Sequence, residues 1–229
     1  LNDDSVVDLG YVERITGALD SGAGVVMAAG VMRDAARPHL IDTAGIVLDR
    51  TLLAYDYLNG EPLEVLEHPL PDPLGPSGAA AAVWRDAFLE GGAFDEGYWM
   101  YLEDVDLVLR LRQAGGSCRL ARSARGTHRH SATLGPGSAR KDYLAGYGRG
   151  YLLRKWGVLT ARRLPGVLAR ELVLCGGQAL VDRNLAGVRG RLRGLREAQT
   201  SESYPEPAVS PDPPGFAPSL WRRWRRRRG

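Results

Sequence analysis

The run from Phe94 to Arg110 sets five carboxylates and an arginine among aromatic and aliphatic residues. Charged side chains are rarely buried unless they meet a partner, a metal ion or a substrate, so this run predicts either a pocket that performs chemistry or a closed ion-pair network. A helix from Glu103 to Gln113 would place Asp106 and Arg110 four residues apart on one face, where they can pair. Ion pairing therefore explains Asp106 but leaves the carboxylates at the start of the helix unexplained.

Glu103 and Asp104 stand at the start of this predicted helix. The unpaired backbone N–H groups and the helix dipole favour negative charge there, which accounts for one of the two side chains but not comfortably for both. A carboxylate at the lip of an apolar pocket has its proton affinity raised by desolvation, which suits a general base. Asp95 follows the turn at residues 91–94 and can simply hydrogen-bond the backbone of that turn.

An ordered series of short motifs surrounds these acids. A small-residue segment, an Asp-Glu pair, a Glu-Asp-x-Asp-Leu-x-x-Arg motif and a later histidine follow one another along the chain. Together they resemble the signature of the family 2 glycosyltransferases, in particular the rhamnosyltransferase-like branch. The resemblance covers about residues 1–156 and implies an α/β fold of the GT-A type, with a mixed sheet flanked by helices. The matching positions are Ser77-Gly78-Ala79-Ala80, Arg85-Asp86-Ala87-Phe88, Gly92-Ala93-Phe94-Asp95-Glu96, Tyr101, Glu103-Asp104-Val105-Asp106-Leu107, Arg110, Ala114-Gly115 and His128.

The resemblance implies roles for individual residues. In this family a strand ends in Asn-x-Asp or Asp-x-Asp, whose acid meets a divalent ion on the donor diphosphate, and Asn2 and Asp4 have that spacing. The implied metal ligands are Asp4 and His128, for Mg²⁺ or Mn²⁺. The implied catalytic residues are Asp104, as general base, and Glu103. The positions implied to bind donor or acceptor are Asn2, Ser77, Gly78, Ala79, Asp95, Tyr101 and Arg149.

Structural explanations compete with several of these roles. Asn2 or Asp4 could cap a helix running from about Val7 to Leu19. The glycine and alanines near residue 79 leave room for a ligand, or else allow tight packing of a strand on a helix. His128 and His130 would share one face of a strand, where either is a ligand, a diphosphate hydrogen-bond donor or a structural residue.

The chain begins at Leu1, where an enzyme of this family would already have completed its nucleotide-binding first half. We therefore expect the N-terminal part of the domain to be missing. The resemblance leaves open whether this chain binds a donor or turns over alone.

The pattern along the chain predicts three regions. Residues 1–156 form the partial GT-A domain, 157–198 a basic amphipathic helical region and 199–229 a proline-rich linker with an arginine and tryptophan tail. Within the second region, Pro165 is placed to open a helix and Gly176-Gly177 to interrupt one. Cys118 and Cys175 lack metal-ligand spacing and fit a reducing compartment.

The net charge of +3 is unevenly distributed along the chain. Residues 1–150 hold 14 Lys/Arg against 21 Asp/Glu, residues 151–198 hold 10 against 3, and six arginines lie in the last eight residues. A basic arm on an acidic body predicts contact with a polyanion, either an anionic membrane surface or nucleic acid. With no recognition motif visible, we favour the membrane, and we expect a cytoplasmic protein peripheral to the inner face of the cell membrane.

These features predict an inverting glycosyltransferase that moves a sugar, with rhamnose implied by the resemblance, from a nucleotide-diphosphate donor to a lipid-linked or polysaccharide acceptor. Two alternatives stay open: a noncatalytic remnant of such an enzyme, and a polyanion-binding protein acting through its basic tail.

Overall fold

The computed structural model describes residues 1–129, 137–199 and 206–220. It confirms the predicted α/β class, with a mixed sheet flanked by helices. The strands are β1 (Ser5–Val7), β2 (Val25–Asp34), β3 (Ile41–Thr43), β4 (Ile46–Leu48), β5 (Ala54–Asp56), β6 (Ala81–Val83) and β7 (Ser117–His128). The helices are α1 (Tyr11–Leu19), α2 (Arg85–Glu90), α3 (Glu103–Gln113), α4 (Ala139–Lys155), α5 (Leu164–Val181) and α6 (Ala186–Glu197), with 3₁₀ turns at Leu63–Glu67 and Gly78–Ala80.

Strand β2 is the centre of the larger sheet. On one side it pairs with β7 in parallel, and β7 in turn pairs with antiparallel β1. Antiparallel β6 and β3 share the other side, and β4 and β5 form a separate antiparallel pair. Because β2 and β7 run parallel, their carboxyl ends meet, with Asp34 opposite His128. This is the edge at which open α/β sheets place their ligand crevices.

Alternating residues of β2 build two cores on opposite faces of the sheet. Ala28 and Met32 pack against the buried face of α1, whereas Met27 and Ala29 belong to the cluster built from α3 and α4. The sheet is therefore covered by helices on both faces, and the apolar side chains of α3 are buried in the larger core.

The buried carboxylate of α3 is satisfied by an ion network. Asp106 is fully buried, lies 2.9 Å from both Arg110 Nε and Lys155 Nζ, and accepts a hydrogen bond from Trp156 Nε1. The Asp106–Arg110 pair is the predicted one, and α3 has the predicted bounds. Since Lys155 also binds Asp95 at 2.6 Å, the network ties α3, α4 and the preceding loop together.

Helices α4 and α6 cross with their backbones in contact. A Cβ atom built on Gly190 would lie 2.1 Å from the carbonyl oxygen of Tyr143, and one on Gly194 would lie 2.1 Å from that of Tyr147. On the opposing helix, Gly146 and Gly150 meet α6 carbonyl groups just as closely. The absence of side chains at these positions is what allows the two helices to approach.

Helix α5 begins at Leu164, with the predicted Pro165 in its first turn, but it continues through Gly176 and Gly177, so the predicted interruption there is wrong. The helix is anchored by Glu171, which binds Arg149 at 2.7 Å and Arg191 at 2.6 Å. Burial raises the pKa of the Glu171 carboxyl, but the two guanidinium charges outweigh it and hold the pKa below its usual value. Among the described residues, α5 alone is long and apolar enough to cross a membrane, by length and composition only.

Two segments differ from the sequence-based expectation. Helix α1 begins at Tyr11 rather than near Val7, and its N-cap is Gly10 with φ 75°, so neither Asn2 nor Asp4 caps it. Within the proline-rich stretch predicted as a disordered linker, residues 206–220 instead pack on the body, where Ser210 and Leu48 exchange two hydrogen bonds. Proline has no backbone N–H group and so disfavours regular strand pairing, but it does not prevent these two hydrogen bonds to a strand edge. The predicted roles of His130 and of the tail beyond residue 220 lie outside the described residues.

Candidate active site

His128 ends β7 with its ring held between two carboxylates. Nδ1 lies 2.7 Å from Asp42 Oδ2 and Nε2 lies 3.1 Å from Asp4 Oδ1, and the residue is 7% exposed. Burial lowers the pKa of the imidazole, but the hydrogen bond and charge of Asp42, together with Asp4, outweigh it and leave the pKa raised. The sheet creates this arrangement because Ser5 of β1 pairs with His128, which brings Asp4 alongside.

Asp42 is a residue that sequence reasoning missed. It lies on the short strand β3, 86 residues from His128, and is almost fully buried. Nothing in its local pattern indicates a role except that a charged residue in a buried three-residue strand needs a partner. A carboxylate that fixes one imidazole nitrogen leaves the other directed at a fixed point, which is the usual environment of a metal-binding histidine.

Asp4 and His128 offer one oxygen and one nitrogen donor side by side, a set that suits a divalent ion. No cluster of three or more such ligands occurs within residues 1–129, 137–199 and 206–220. The residues present therefore fit an ion that takes its remaining ligands from phosphate oxygens and water, as Mg²⁺ commonly does.

Asp104 begins α3 and is held by backbone groups. Its Oδ2 accepts a hydrogen bond from the Gly78 N–H at 2.9 Å, and its Oδ1 accepts one from the Val105 N–H at 2.8 Å. Desolvation raises the pKa of this carboxyl, the two N–H bonds oppose the shift, and the charge of Asp56 adds to it, so that the pKa is raised overall. In the described part of the chain, no arginine or lysine pairs with Asp104, which separates it from Asp106.

Glu103 lies beside Asp104 and shares its environment. Burial, and then the charge of Asp104, raise the pKa of the Glu103 carboxyl. Its Oε2 atom is buried and has no hydrogen-bond partner among the described residues. Two adjacent acids with raised proton affinity are common where proton transfer takes place.

Two residues with positive φ precede this acidic pair. Tyr101 and Leu102 have φ 71° and 72°, in the left-handed region that costs a non-glycine residue about 1–3 kcal/mol. Gly148 of α4 lets the helix press on this turn, since a Cβ there would lie 2.5 Å from the Tyr101 carbonyl oxygen. The packing of α4 therefore holds the strained turn that aims Glu103 and Asp104.

Tyr101 connects the acidic pair to the sheet edge. After burial, the charges of Glu103 and Asp4 are the groups that raise the pKa of the Tyr101 hydroxyl, so both carboxylates lie near its ring. Of the predicted site residues, Asp4 thus lies beside His128, and the charges of Asp4 and Glu103 both act on Tyr101.

The small-residue segment forms a wall of the same site. Asp104 Oδ2 and Asn2 Oδ1 lie 3.5 and 4.0 Å from the position that a Cβ on Gly78 would occupy, and Ser77 caps the 3₁₀ turn that presents the Gly78 N–H. Ala79 is buried in the core against α1, so for this residue the structure supports the tight-packing explanation.

Two predicted binding residues are occupied by protein groups, which corrects the expectation for them. Arg149 is 4% exposed and donates to Glu171 and to the carbonyl oxygens of Thr51 and Leu52. Asp95 accepts from the Gly97 N–H and from Lys155, as its turn-stabilising explanation requires. Buried charges must be paired, and in both cases the partners come from segments that the motif does not include.

A groove of about 280 Å³ opens beside the strained turn, next to α4 and α6. Trp99 forms one wall and is largely exposed, and the other walls are aromatic and aliphatic, with two guanidinium groups. Its lining residues are Trp99, Arg140, Tyr143, Leu144, Tyr147 and Arg193.

Comparison with known proteins adds a partial likeness. No family model matches the chain. Two curated Mycobacterium tuberculosis proteins, both named N-acetylglucosaminyl-diphospho-decaprenol L-rhamnosyltransferase, are 44% identical to it over 59 residues, which is 26% of this chain and 19% of each relative. The matched stretch thus spans about a fifth of the length of these relatives. A solved structure titled "Crystal structure of GalNAc-T7 with UDP, GalNAc and Mn2+" aligns over 91% of this chain and 41% of that one, at 14% identity and a TM-score of 0.49.

Proposed function

We propose that this chain carries the catalytic residues of an inverting glycosyltransferase of the GT-A type. The observation that supports this most strongly is Asp104: a carboxylate with a raised pKa, fixed by two backbone N–H groups at the turn where Asn2 also approaches Gly78. The 44% identity to curated rhamnosyltransferases over 59 residues supports the same reaction class and favours rhamnose as the transferred sugar.

The chemistry assigned to the chain is a single displacement. The acceptor hydroxyl forms a bond to the anomeric carbon as the bond from that carbon to the donor diphosphate breaks, which inverts the configuration. Asp104 takes the proton of the attacking hydroxyl. The Gly78 N–H and Val105 N–H hold the carboxylate in one orientation, and the charge of Asp56 opposes its ionisation.

Asp4 and His128 would hold the divalent ion on the donor diphosphate. When bound, Mg²⁺ or Mn²⁺ neutralises the charge of the leaving group. The chain's own part is to present Asp4 Oδ1 and His128 Nε2 close together, and Asp42 fixes the imidazole so that Nε2 faces Asp4.

Replacing Asp42 by asparagine is expected to weaken Mn²⁺ binding about 10- to 100-fold, because the imidazole loses the carboxylate that orients it. Titration calorimetry with Mn²⁺ alone measures the effect. Asp86→Asn is the control, since Asp86 is exposed and pairs only with its neighbour Arg85. Unchanged affinity in the Asp42 variant would remove His128 from the proposed ligand set.

We assign the acceptor to the groove beside Trp99. The curated relatives are named for a decaprenol-linked sugar diphosphate, and a groove with aromatic walls and two arginines suits a sugar attached to a diphosphate. We place the protein in the cytoplasm at the inner face of the membrane, where such an acceptor would be met.

Truncating Trp99 to alanine is expected to raise the KM for a lipid-linked acceptor about 2- to 10-fold, because an aromatic contact is worth about 0.5–1.5 kcal/mol. Donor hydrolysis without acceptor should stay unchanged. Trp84→Ala, at another exposed tryptophan that does not line the groove, is the control. An equal rise in KM in both variants would show that the groove is not the acceptor site.

The proposal is tested by assaying the full-length protein with a panel of nucleotide-diphospho-sugars for metal-dependent hydrolysis and transfer. Turnover of one donor, with an inverted product, supports it. The absence of metal-dependent donor binding would instead favour a noncatalytic remnant.

A further inference from the structure

The outward face of α5 is apolar along its length. Leu172 and Leu180 are 73% and 82% exposed, and Leu168, Val173 and Val181 are about half exposed. Surface helices normally show polar residues on this side. The two charged residues of α5 are instead turned to the body, where Arg170 lies 2.9 Å from Asp49 and Glu171 binds two arginines.

Basic residues mark both ends of this face. Arg162 is exposed just before α5 and Arg183 just after it. Arginines at the ends of an apolar segment can place their charge at lipid headgroups while their aliphatic stems lie along apolar surface. Residues 151–198 hold 10 Lys/Arg against 3 Asp/Glu, so this part of the sequence is basic as well.

The basic terminal sequence starts beside this helix. Leu220, the last described residue, lines a small cavity together with Phe216 and Leu174 of α5. Residues 221–229 follow with two tryptophans and six arginines. The sequence separates the end of α5 from this segment by 40 residues, but Leu220, which precedes the segment, lies beside α5 in the fold.

We propose that the outward face of α5 binds the surface of an anionic lipid bilayer. The leucines insert below the headgroups, and Arg162 and Arg183 at the ends of the face lie at the level of the lipid phosphates. The helix lies in the plane of the interface, because crossing the bilayer would pull Glu171 away from Arg149 and Arg191. This inference does not depend on the glycosyltransferase proposal, since the binding surface includes none of the candidate active-site residues.

Vesicle flotation of the complete chain tests the proposal without donor or acceptor. We expect binding to vesicles of phosphatidylcholine mixed with phosphatidylglycerol, weakened by salt, and little binding to phosphatidylcholine alone. The double variant Leu172→Gln/Leu180→Gln should lower the partition coefficient about 100-fold, because each inserted leucine contributes roughly tenfold. The matched control is Leu9→Gln/Val12→Gln, at residues 95% and 67% exposed elsewhere, which should bind like the parent.

Circular dichroism tests whether each variant is folded. If Leu172→Gln/Leu180→Gln does not fold, Leu168→Gln/Val173→Gln on the same face replaces it. Equal vesicle binding by parent and α5 variants overturns the proposal. The proposal is also overturned if the parent is a dimer and the α5 substitutions dissociate the dimer without changing vesicle binding. A second copy of the chain would then cover the face.

Discussion

Replacing Asp104 by asparagine is expected to lower kcat for sugar transfer about 1000-fold, because the variant keeps the shape of the side chain but cannot take the proton of the acceptor hydroxyl. Binding of donor and metal should remain, since the proposed metal ligands Asp4 and His128 are unchanged. Steady-state kinetics of the full-length protein, with metal binding measured in parallel, separates these two effects.

The pH profile of the parent enzyme gives a second measure of the same residue. Desolvation raises the pKa of Asp104, so the base becomes protonated at a higher pH than an ordinary aspartate. The value of kcat/KM should therefore fall tenfold for each pH unit below that raised pKa. In the Asp104→Asn variant, this acid limb should disappear from the residual activity.

The control is Glu96→Gln, which removes an exposed carboxylate from the same acidic run. It should retain parental kcat and pH dependence. If Asp104→Asn kept substantial activity with the acid limb intact, the general base would have to be another group, and the raised pKa of Glu103 makes that residue the next to test.

Replacing Gly190 by alanine is expected to reduce the free energy of unfolding by about 3 kcal/mol or more, at the upper end of the range for overpacking. The new methyl group would lie 2.1 Å from the Tyr143 carbonyl oxygen and 2.8 Å from the Tyr147 nitrogen. Both are backbone atoms of α4 and cannot rotate away, so the two helices must separate. Urea unfolding followed by circular dichroism measures the loss.

Gly17→Ala is the matched control for this experiment. Gly17 also lies inside a helix, but a Cβ there would have no neighbour within 4 Å. Alanine should therefore stabilise the protein by about 0.5–1 kcal/mol through its higher helix propensity. If Gly190→Ala left stability unchanged, the close crossing of α4 and α6 would be wrong.

The elements that could be predicted from the sequence are those fixed by local contacts. The bounds of α3 and the Asp106–Arg110 pair follow from the four-residue spacing of a helix, and β2 follows from its apolar run. The continuation of α5 through Gly176-Gly177 could not be predicted, because a glycine costs a helix only about 1 kcal/mol and therefore does not have to end it.

The motif series for the candidate site selected Asp4, His128, Glu103 and Asp104, of which the structure places Asp4 beside His128. It did not select Asp42, whose contact with His128 joins residues 86 positions apart. Such a contact has no local signal, since it depends on how β3 and β7 are placed around β2.

The sequence by itself determined that a group of acidic residues would stand at the start of a buried helix and that at least one of them would need a basic partner. Helix spacing already paired Asp106 with Arg110, but only the tertiary structure decided which acids receive Lys155. Lys155 and Arg110 neutralise Asp106, and Lys155 also binds Asp95, whereas Asp104 is left with backbone N–H groups. The reason is that the charge state of a buried carboxylate depends on the groups that the fold brings within a few ångströms, and these groups come from distant parts of the chain.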